Sequence, residues 1–478
     1  QLVETIRSEI SDGDTVVTPE TITTYTRDAA GRALQTRRDR GAMTTTESVE
    51  YDRLGRIVRQ TDVLGRVTAT AYSENGLTET VTTPAGATLV TERHPDGSVL
   101  HEYGTGQRER YHVYDIGDNC LRETVTLAGQ TTILSRTLVN GFGQSVLQVT
   151  PTTAGFLYDR SEYDEQGHLI RAWRDAGAQE GAAAMAPALY EYDAFGNMTR
   201  ETLALAEQPA PDNSPIREYA FSVENAEDGI YMVTAQTRYN AEGQPLVSVR
   251  KQLLSELSGV LETKAVIIDE RGLTSAEWTE YAENTKRIQK SVIPSSSVTA
   301  QTVAADGLML SQQNHAGITE TAARAYTATG VTLTRTDGRG NTTTIRTDLA
   351  GRAVSVTDAA GNETVTQYDA RFDLAAVVTD ALGNTVCAGY DARGRKTAEW
   401  GTGTQPLLLG YDEADRLVSL TTFRAAQEGD IAEDPSDRAD GDTTTWSYDE
   451  ATGLETRKTY ADGTHVDKTW DAFNRLAT

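Results

Sequence analysis

Aspartates stand at positions 337, 348, 358, 369, 380, 391 and 412, and carboxylates spaced so evenly could do three kinds of chemistry. Pairs held roughly 5–10 Å apart could hydrolyse glycosides. Converging oxygens could hold a calcium ion. The third use is conformational, because an aspartate that opens a turn accepts hydrogen bonds from backbone N–H groups two residues on. The surrounding phrase favours the third. Each aspartate opens D-x-x-G or a decayed form of it, so its oxygens find donors inside their own loop. "DGRGN" (337–341) resembles a calcium-binding nonapeptide only faintly and occurs once. The stretch 425–442 carries seven acidic residues and one Arg. Its glycine and final Glu are out of register with an EF-hand loop.

Other chemistry is equally hard to place. The six histidines are at 94, 101, 112, 168, 315 and 465. None falls in a nucleophile elbow, beside a cysteine, or at zinc-ligand spacing. His94 precedes Pro95 in the turn "HPDG", where a ring faces water. No phosphate-binding glycine loop leads from a strand into a helix. The sequence therefore predicts no catalytic residue, no cofactor and no metal, and a chain that is not an enzyme. A formal charge of −26, from 70 acidic and 44 basic residues, argues against nucleic acid as a partner. A basic guest would suit such a surface if the chain encloses something. Cys120 and Cys387 can pair only once, so no disulfide framework exists. No run of 18 apolar residues predicts a membrane span. The chain opens at Gln1 and closes within "WDAFNRLAT", which starts a repeat. This reads as a piece of a larger polypeptide, with any export signal or effector outside it.

The elements that carry these aspartates follow from their rhythm. Successive gaps are 11, 10, 11, 11, 11 and 21 residues. Two phrases alternate: T-D-x-x-G-N at 357–362 and 379–384, and Y-D-x-x-G-R at 390–395. One unit is thus about 21 or 22 residues with two turns, a period that signals stacked repeats. Two variable residues take the centre of a type I turn, and glycine supplies the left-handed bulge position. Flanks such as "KTAEW" and "VSVT" alternate as strands do. Twenty Tyr against seven Phe suit strands with one wet edge. The turn-forming residues are Asp52, Gly55, Asp62, Gly65, Asp348, Gly351, Asp358, Gly361, Asp369, Asp380, Gly383, Asp391, Gly394 and Asp412. Tyr51, Tyr368, Tyr390 and Tyr411 stand at one phase of the period and are expected to stack in a row. The predicted fold is all-β: a long antiparallel strip of repeated hairpins.

The whole chain, 1–478, reads as one array. Repeats are moderately regular over 1–200, degenerate over 201–330 and regular over 331–478. Looser units open at Tyr25, Tyr114, Tyr163, Tyr192 and Tyr239, with half-units at Asp269 and Asp306. Where the phrase decays it decays at glycine, replaced by Phe372, Asp415 and Asn474. Asp and Asn tolerate positive φ and Phe does not, so a different turn is expected at Phe372. "QLLSELSG" from Gln252 reads as a short helix or a strand. Residues 176–188 and 425–442 read as loop insertions. The second is expected to be an exposed mobile loop, with a lid, cation site or partner contact as its functional alternatives.

The alternating phrases resemble the YD (RHS) repeats of bacterial Rhs proteins, toxin-complex C components and animal teneurins. The resemblance covers most of the chain, strongly over 336–478, well over 45–72 and weakly over 201–330. It implies a β-strip wound as a spiral into a hollow shell around a C-terminal toxin, or an extracellular scaffold with a cell-surface or glycan partner. It implies a secreted or cell-surface location, with remaining repeats of the same protein or an enclosed polypeptide as partners. The family's toxin members close the shell with a D-P-x-G-rich plug that cuts the effector free. "EDPSD" (433–437) lacks the glycine, so self-cleavage falls on no residue here.

Overall fold

In the computed structural model, described residues are 2–12, 15–115, 120–127, 130–177, 185, 187–203, 216–240, 242–257, 259–282, 286–293, 298–304, 307–314, 316–423 and 432–477. Almost all secondary structure among them is β. Thirty-eight strands form one antiparallel sheet, each pairing with the strands before and after it, as in the run from Thr342–Thr347 through Ala353–Thr357 to Glu363–Tyr368. One small departure occurs at the start. Leu2–Arg7 pairs directly with Thr21–Arg27, and the intervening Ile10–Asp12 and Thr15–Thr18 form a separate two-stranded hairpin. No described helix is long and apolar enough to cross a membrane.

Strand length tracks the regularity of the phrase. Regular repeats give strands of five or six residues, such as Ala353–Thr357 and Glu363–Tyr368. The degenerate sector gives Ile216–Asn225, Gly229–Tyr239 and Pro245–Glu256, of 10, 11 and 12 residues. The last includes Gln252, so this segment is strand and not helix. Without a turn signal every eleven residues nothing stops the pairing early, and the strip broadens. The candidate half-unit at Asp306 lies outside the described residues, as do 178–184, 186 and 425–431 of the two insertions.

The remainder of the acidic insertion is anchored. Pro435 is fully buried at the start of a single 3-10 turn, Pro435–Asp437, capped by the Asp434 carboxylate. The Arg438 guanidinium lies 4.5 Å over the Phe423 ring. Most of its described residues are exposed, as the sequence predicts. Pro435 and Arg438 are its points of attachment to the strip.

A one-layer sheet cannot make an ordinary core. The accessible surface is 27621 Å² for 51.8 kDa, whereas a compact protein of that mass would expose about 17,000 Å². Most strand residues are half-buried on both faces. Shallow troughs run along the broad sector. Troughs of ≈ 440 Å³ and ≈ 510 Å³ are lined chiefly by one face of the broad sector, including Gln252, Gln289, Gln301 and Gln312 in one and Tyr219, Thr234 and Gln236 in the other. These residues are cross-strand neighbours. The side chains of that face are mainly uncharged and polar there.

Candidate functional site

Antiparallel strands reverse at every turn, so successive turns fall on alternate edges of the strip. Turns at Asp52, Asp348, Asp369, Asp391 and Asp412 share one, the tyrosine edge. Turns at Asp62, Asp358 and Asp380 share the other, the threonine edge.

A single turn is built the same way on both. At Asp391 the backbone N–H donates to the Arg395 carbonyl (3.0 Å) and Gly394 N–H returns to the Asp391 carbonyl (3.1 Å). The carboxylate Oδ1 accepts from the N–H groups of Arg393 and Arg395. Gly55, Gly65, Gly351, Gly361, Gly383 and Gly394 all hold φ between 80° and 87°. Asp415 and Asn474 take the same position at 62° and 59°. Phe372 has no positive φ, and there the loop lengthens: Asp369 N–H pairs with Leu374, five residues on rather than four.

Between 348 and 395 the two edges differ in the residue after glycine. On the threonine edge the Asn362 and Asn384 amides fold back onto their own Asp358 and Asp380 (2.8 Å each). On the tyrosine edge Arg reaches further. Arg395 pairs with Asp391 at 2.7 Å, donates to the Asp412 carbonyl of the next turn, and lies 5.0 Å over the Tyr411 ring. Arg32 covers Tyr51, Arg56 covers Tyr72, and Arg352 covers Tyr368 at 4.1–4.6 Å. The tyrosine hydroxyls point backward: Tyr368 donates to the Ala353 carbonyl and Tyr390 to that of Ala375. The 390–395 phrase is thus tied to the unit before it by the Tyr390 hydroxyl and to the unit after it by the Arg395 guanidinium.

Electrostatics follow from this geometry. Burial pushes the Asp391 carboxyl up, but the Arg395 guanidinium and backbone N–H groups outweigh it and hold the acid below its usual range. Asp52, Asp62 and Asp412 show the same balance. Asp358 and Asp380 are lowered chiefly by their Asn partners, and Asp369 by Arg371. Cys387 is a free, half-buried thiol whose burial raises its pKa.

Tyr239 breaks the sequence pattern. Its phrase "RYNAEGQ" lies on the threonine edge, after Gly229–Tyr239, and its hydroxyl donates to the Glu218 carboxylate instead of a carbonyl.

The strip then meets itself. Arg393 Nε donates to the Thr105 carbonyl at 2.8 Å and Nη2 to that of Gln107, residues 288 and 286 positions away. Arg66 pairs with Asp373 across 307 positions at 2.9 Å. Asn474 donates to the Pro151 carbonyl across 323, and Thr153 to that of Trp470 across 317. One coil therefore takes about 300 residues, as those separations require. In each contact the tyrosine edge of the later coil sits on the threonine edge of the earlier one. We call this line the seam.

Sequence reasoning did not find the seam residues. Two signals were available. "YGTGQ" (103–107) recurs as "WGTGT" (400–404), a tight loop in which a Cβ on Gly104 would lie 2.2 Å from the Thr88 carbonyl. Arg66 occupies the place that Asn341, Asn362 and Asn384 fill in the regular turns of that edge.

Among the described residues no three or more His, Cys, Asp or Glu are grouped to hold a metal. His101 has Glu92 and Glu109 at its two ring nitrogens, 3.3 and 2.9 Å away, and lies stacked between Tyr103 and Tyr111.

The RHS Repeat family matches residues 51–88 and 348–385. No curated protein matches the sequence. Among solved structures, the chain is similar to one in the Tc holotoxin pore of Photorhabdus luminescens bearing a mutant TccC3. Identity is 12%, with 100% of this chain and 27% of that one covered, at TM-score 0.52. It is likewise similar to a chain of the TcdB2–TccC3 complex lacking the hypervariable C-terminal region, with 13% identity, the same coverage and TM-score 0.51. This chain spans 27% of the length of each, and at such identity the likeness is one of fold.

Proposed function

We propose that this YD/RHS-repeat chain is one array serving as part of the wall of a hollow shell around a polypeptide cargo such as a C-terminal toxin. The observation that carries the reading is the seam. A single-layer strip that closes onto its own next coil makes a wall, and its inner face is left without a core to fill it. The uncharged polar side chains of the broad sector suit an enclosed chain that must not stick. The wall's work is mechanical, and the turn residues act by shape rather than catalysis. The fold's occurrence in Tc holotoxin structures supports a place in a secreted or cell-surface assembly.

Limited proteolysis of the full-length gene product tests this. Sequence downstream of Thr478 should survive protease that destroys the same sequence expressed alone. Equal cleavage rates in the two contexts would remove the cargo reading. Binding on a glycan array by a shell with nothing inside would favour an adhesive scaffold.

A further inference from the structure

The loop that receives Arg393 at the seam is fastened from its own side. Residues 104–107 offer the Thr105 and Gln107 carbonyls to that guanidinium. They join the strand Val99–Tyr103 to the strand Arg110–Asp115. His101 stands at the base of the loop, with its side chain 15% exposed. Its Nδ1 meets Glu92 of the strand Thr88–Arg93 at 3.3 Å, and its Nε2 meets Glu109, two residues past the loop, at 2.9 Å. Tyr103 and Tyr111 stack on the two faces of the ring, 4.5 and 4.1 Å away. Their hydroxyls donate to the same two carboxylates, Tyr103 to Glu92 and Tyr111 to Glu109. The Tyr111 hydroxyl and His101 hold Glu109 below its usual pKa. Across the seam, Asp391, Arg393, Arg395, Asp412 and Glu413 share a cavity with Tyr103 and Glu109.

An ionised carboxylate only accepts hydrogen bonds, and a neutral imidazole has one N–H to give. A ring with a carboxylate at each nitrogen therefore satisfies both only as the imidazolium. That form also gains from the two tyrosine faces. Without the proton, one nitrogen turns a lone pair towards a carboxylate. We propose that His101 is a proton-operated clasp on the seam. Protonated, it ties Glu109 beyond the loop to Glu92 before it. When the proton leaves, the loop loosens, and with it the carbonyls that hold Arg393. The contribution is present in mild acid and is lost as pH rises through the range in which imidazoles titrate, because the protonated ring is the form that fits. The clasp depends on the seam itself, whatever the wall encloses. His112 serves as a control. It follows Tyr111 along one strand and so lies on the opposite face, bracketed less evenly by Glu102 at 3.2 Å and Glu123 at 3.9 Å.

Hydrogen exchange of the intact chain from about pH 5.5 to about pH 8.5 tests this, with each rate divided by the intrinsic rate of its amide at that pH. Protection of 104–107 should fall roughly tenfold across the range, the scale of one hydrogen bond to a charged group. The 391–395 turn should follow it. His101→Gln, neutral at every pH, should show the lower protection throughout. His112→Gln should keep the fall seen in the parent. The wild-type series decides the question even where a variant folds poorly. Wild-type protection at 104–107 that stays constant with pH would overturn the proposal, as would a fall that His101→Gln retains or His112→Gln abolishes.

Discussion

Gly394 sits at φ 82°, in the left-handed region that β-branched residues avoid. A Cβ there would meet the Phe372 ring and Leu374 at ordinary contact distance, 3.5–3.6 Å. Space is therefore not the obstacle, and backbone strain is. Gly394→Val should cost on the order of 1–3 kcal/mol, read as a lower midpoint in denaturant titration. Gly394→Asn should cost less, because Asn474 already adopts φ 59° in the equivalent turn. An unchanged midpoint for the valine variant would contradict the turn geometry. The neighbouring aspartate adds a pH dependence. The folded chain holds Asp391 below its usual pKa, while the unfolded chain leaves it near 3.9. Its contribution is therefore complete above about pH 4 and is lost as pH falls through the lower folded value. Hydrogen-exchange protection of the Arg393 and Arg395 amides should hold from pH 7 to 5 and fall in stronger acid. These residue roles were the most legible part of the sequence, since positive φ and aspartate self-capping admit few residue types. The exception is instructive. Phe372 could be read only as a departure from the phrase, and the longer Asp369 loop needed coordinates.

Strands and hairpins are held by what each unit gives its neighbour. The Tyr390 hydroxyl donates to the Ala375 carbonyl at 2.7 Å, and Arg395 covers Tyr411 while reaching the Asp412 carbonyl. Deleting the hydroxyl with Tyr390→Phe should cost about 0.5–1.5 kcal/mol and leave the ring packing intact. Arg395→Ala removes more: an ion pair, a charge-assisted hydrogen bond and a stacked plane. It should exceed Tyr390→Phe, and hydrogen exchange should localise the loss to the 391 and 412 turns. Exchange spread evenly along the chain would instead argue against nearest-neighbour coupling of the repeats. Antiparallel hairpins of five or six residues were readable from the eleven-residue spacing. Their edges were readable only where Tyr or Thr precedes Asp. Tyr239 shows the limit: the phrase names an edge, but strand parity decides it. The broad strands of 216–256 were not readable, because lost turn signals look the same whether strands lengthen or helices intervene.

At the scale of the molecule, sequence rhythm cannot state where the strip meets itself, because contacts across some 300 positions leave no local periodicity. The seam is nonetheless thin, and its members differ in weight. Arg66 and Asp373 pair at 2.9 Å, but the Asp373 side chain is 61% exposed, and such pairs contribute roughly 0–1 kcal/mol. Arg393 is 14% exposed and sends two donors to main-chain carbonyls, contacts worth more because one partner is charged. Arg393→Ala should therefore open the seam more than Asp373→Asn does. The turns of both coils should survive, since Asp391 still caps its own loop. Hydrogen exchange should quicken at 104–107 and at 391–395 together, the two sides of one line, while the strands beside them keep their protection. Small-angle scattering should show a larger radius for Arg393→Ala with unchanged β content. If the alanine variant scatters as the parent does, the wall is held by strip curvature alone, and the seam only records where two coils happen to touch.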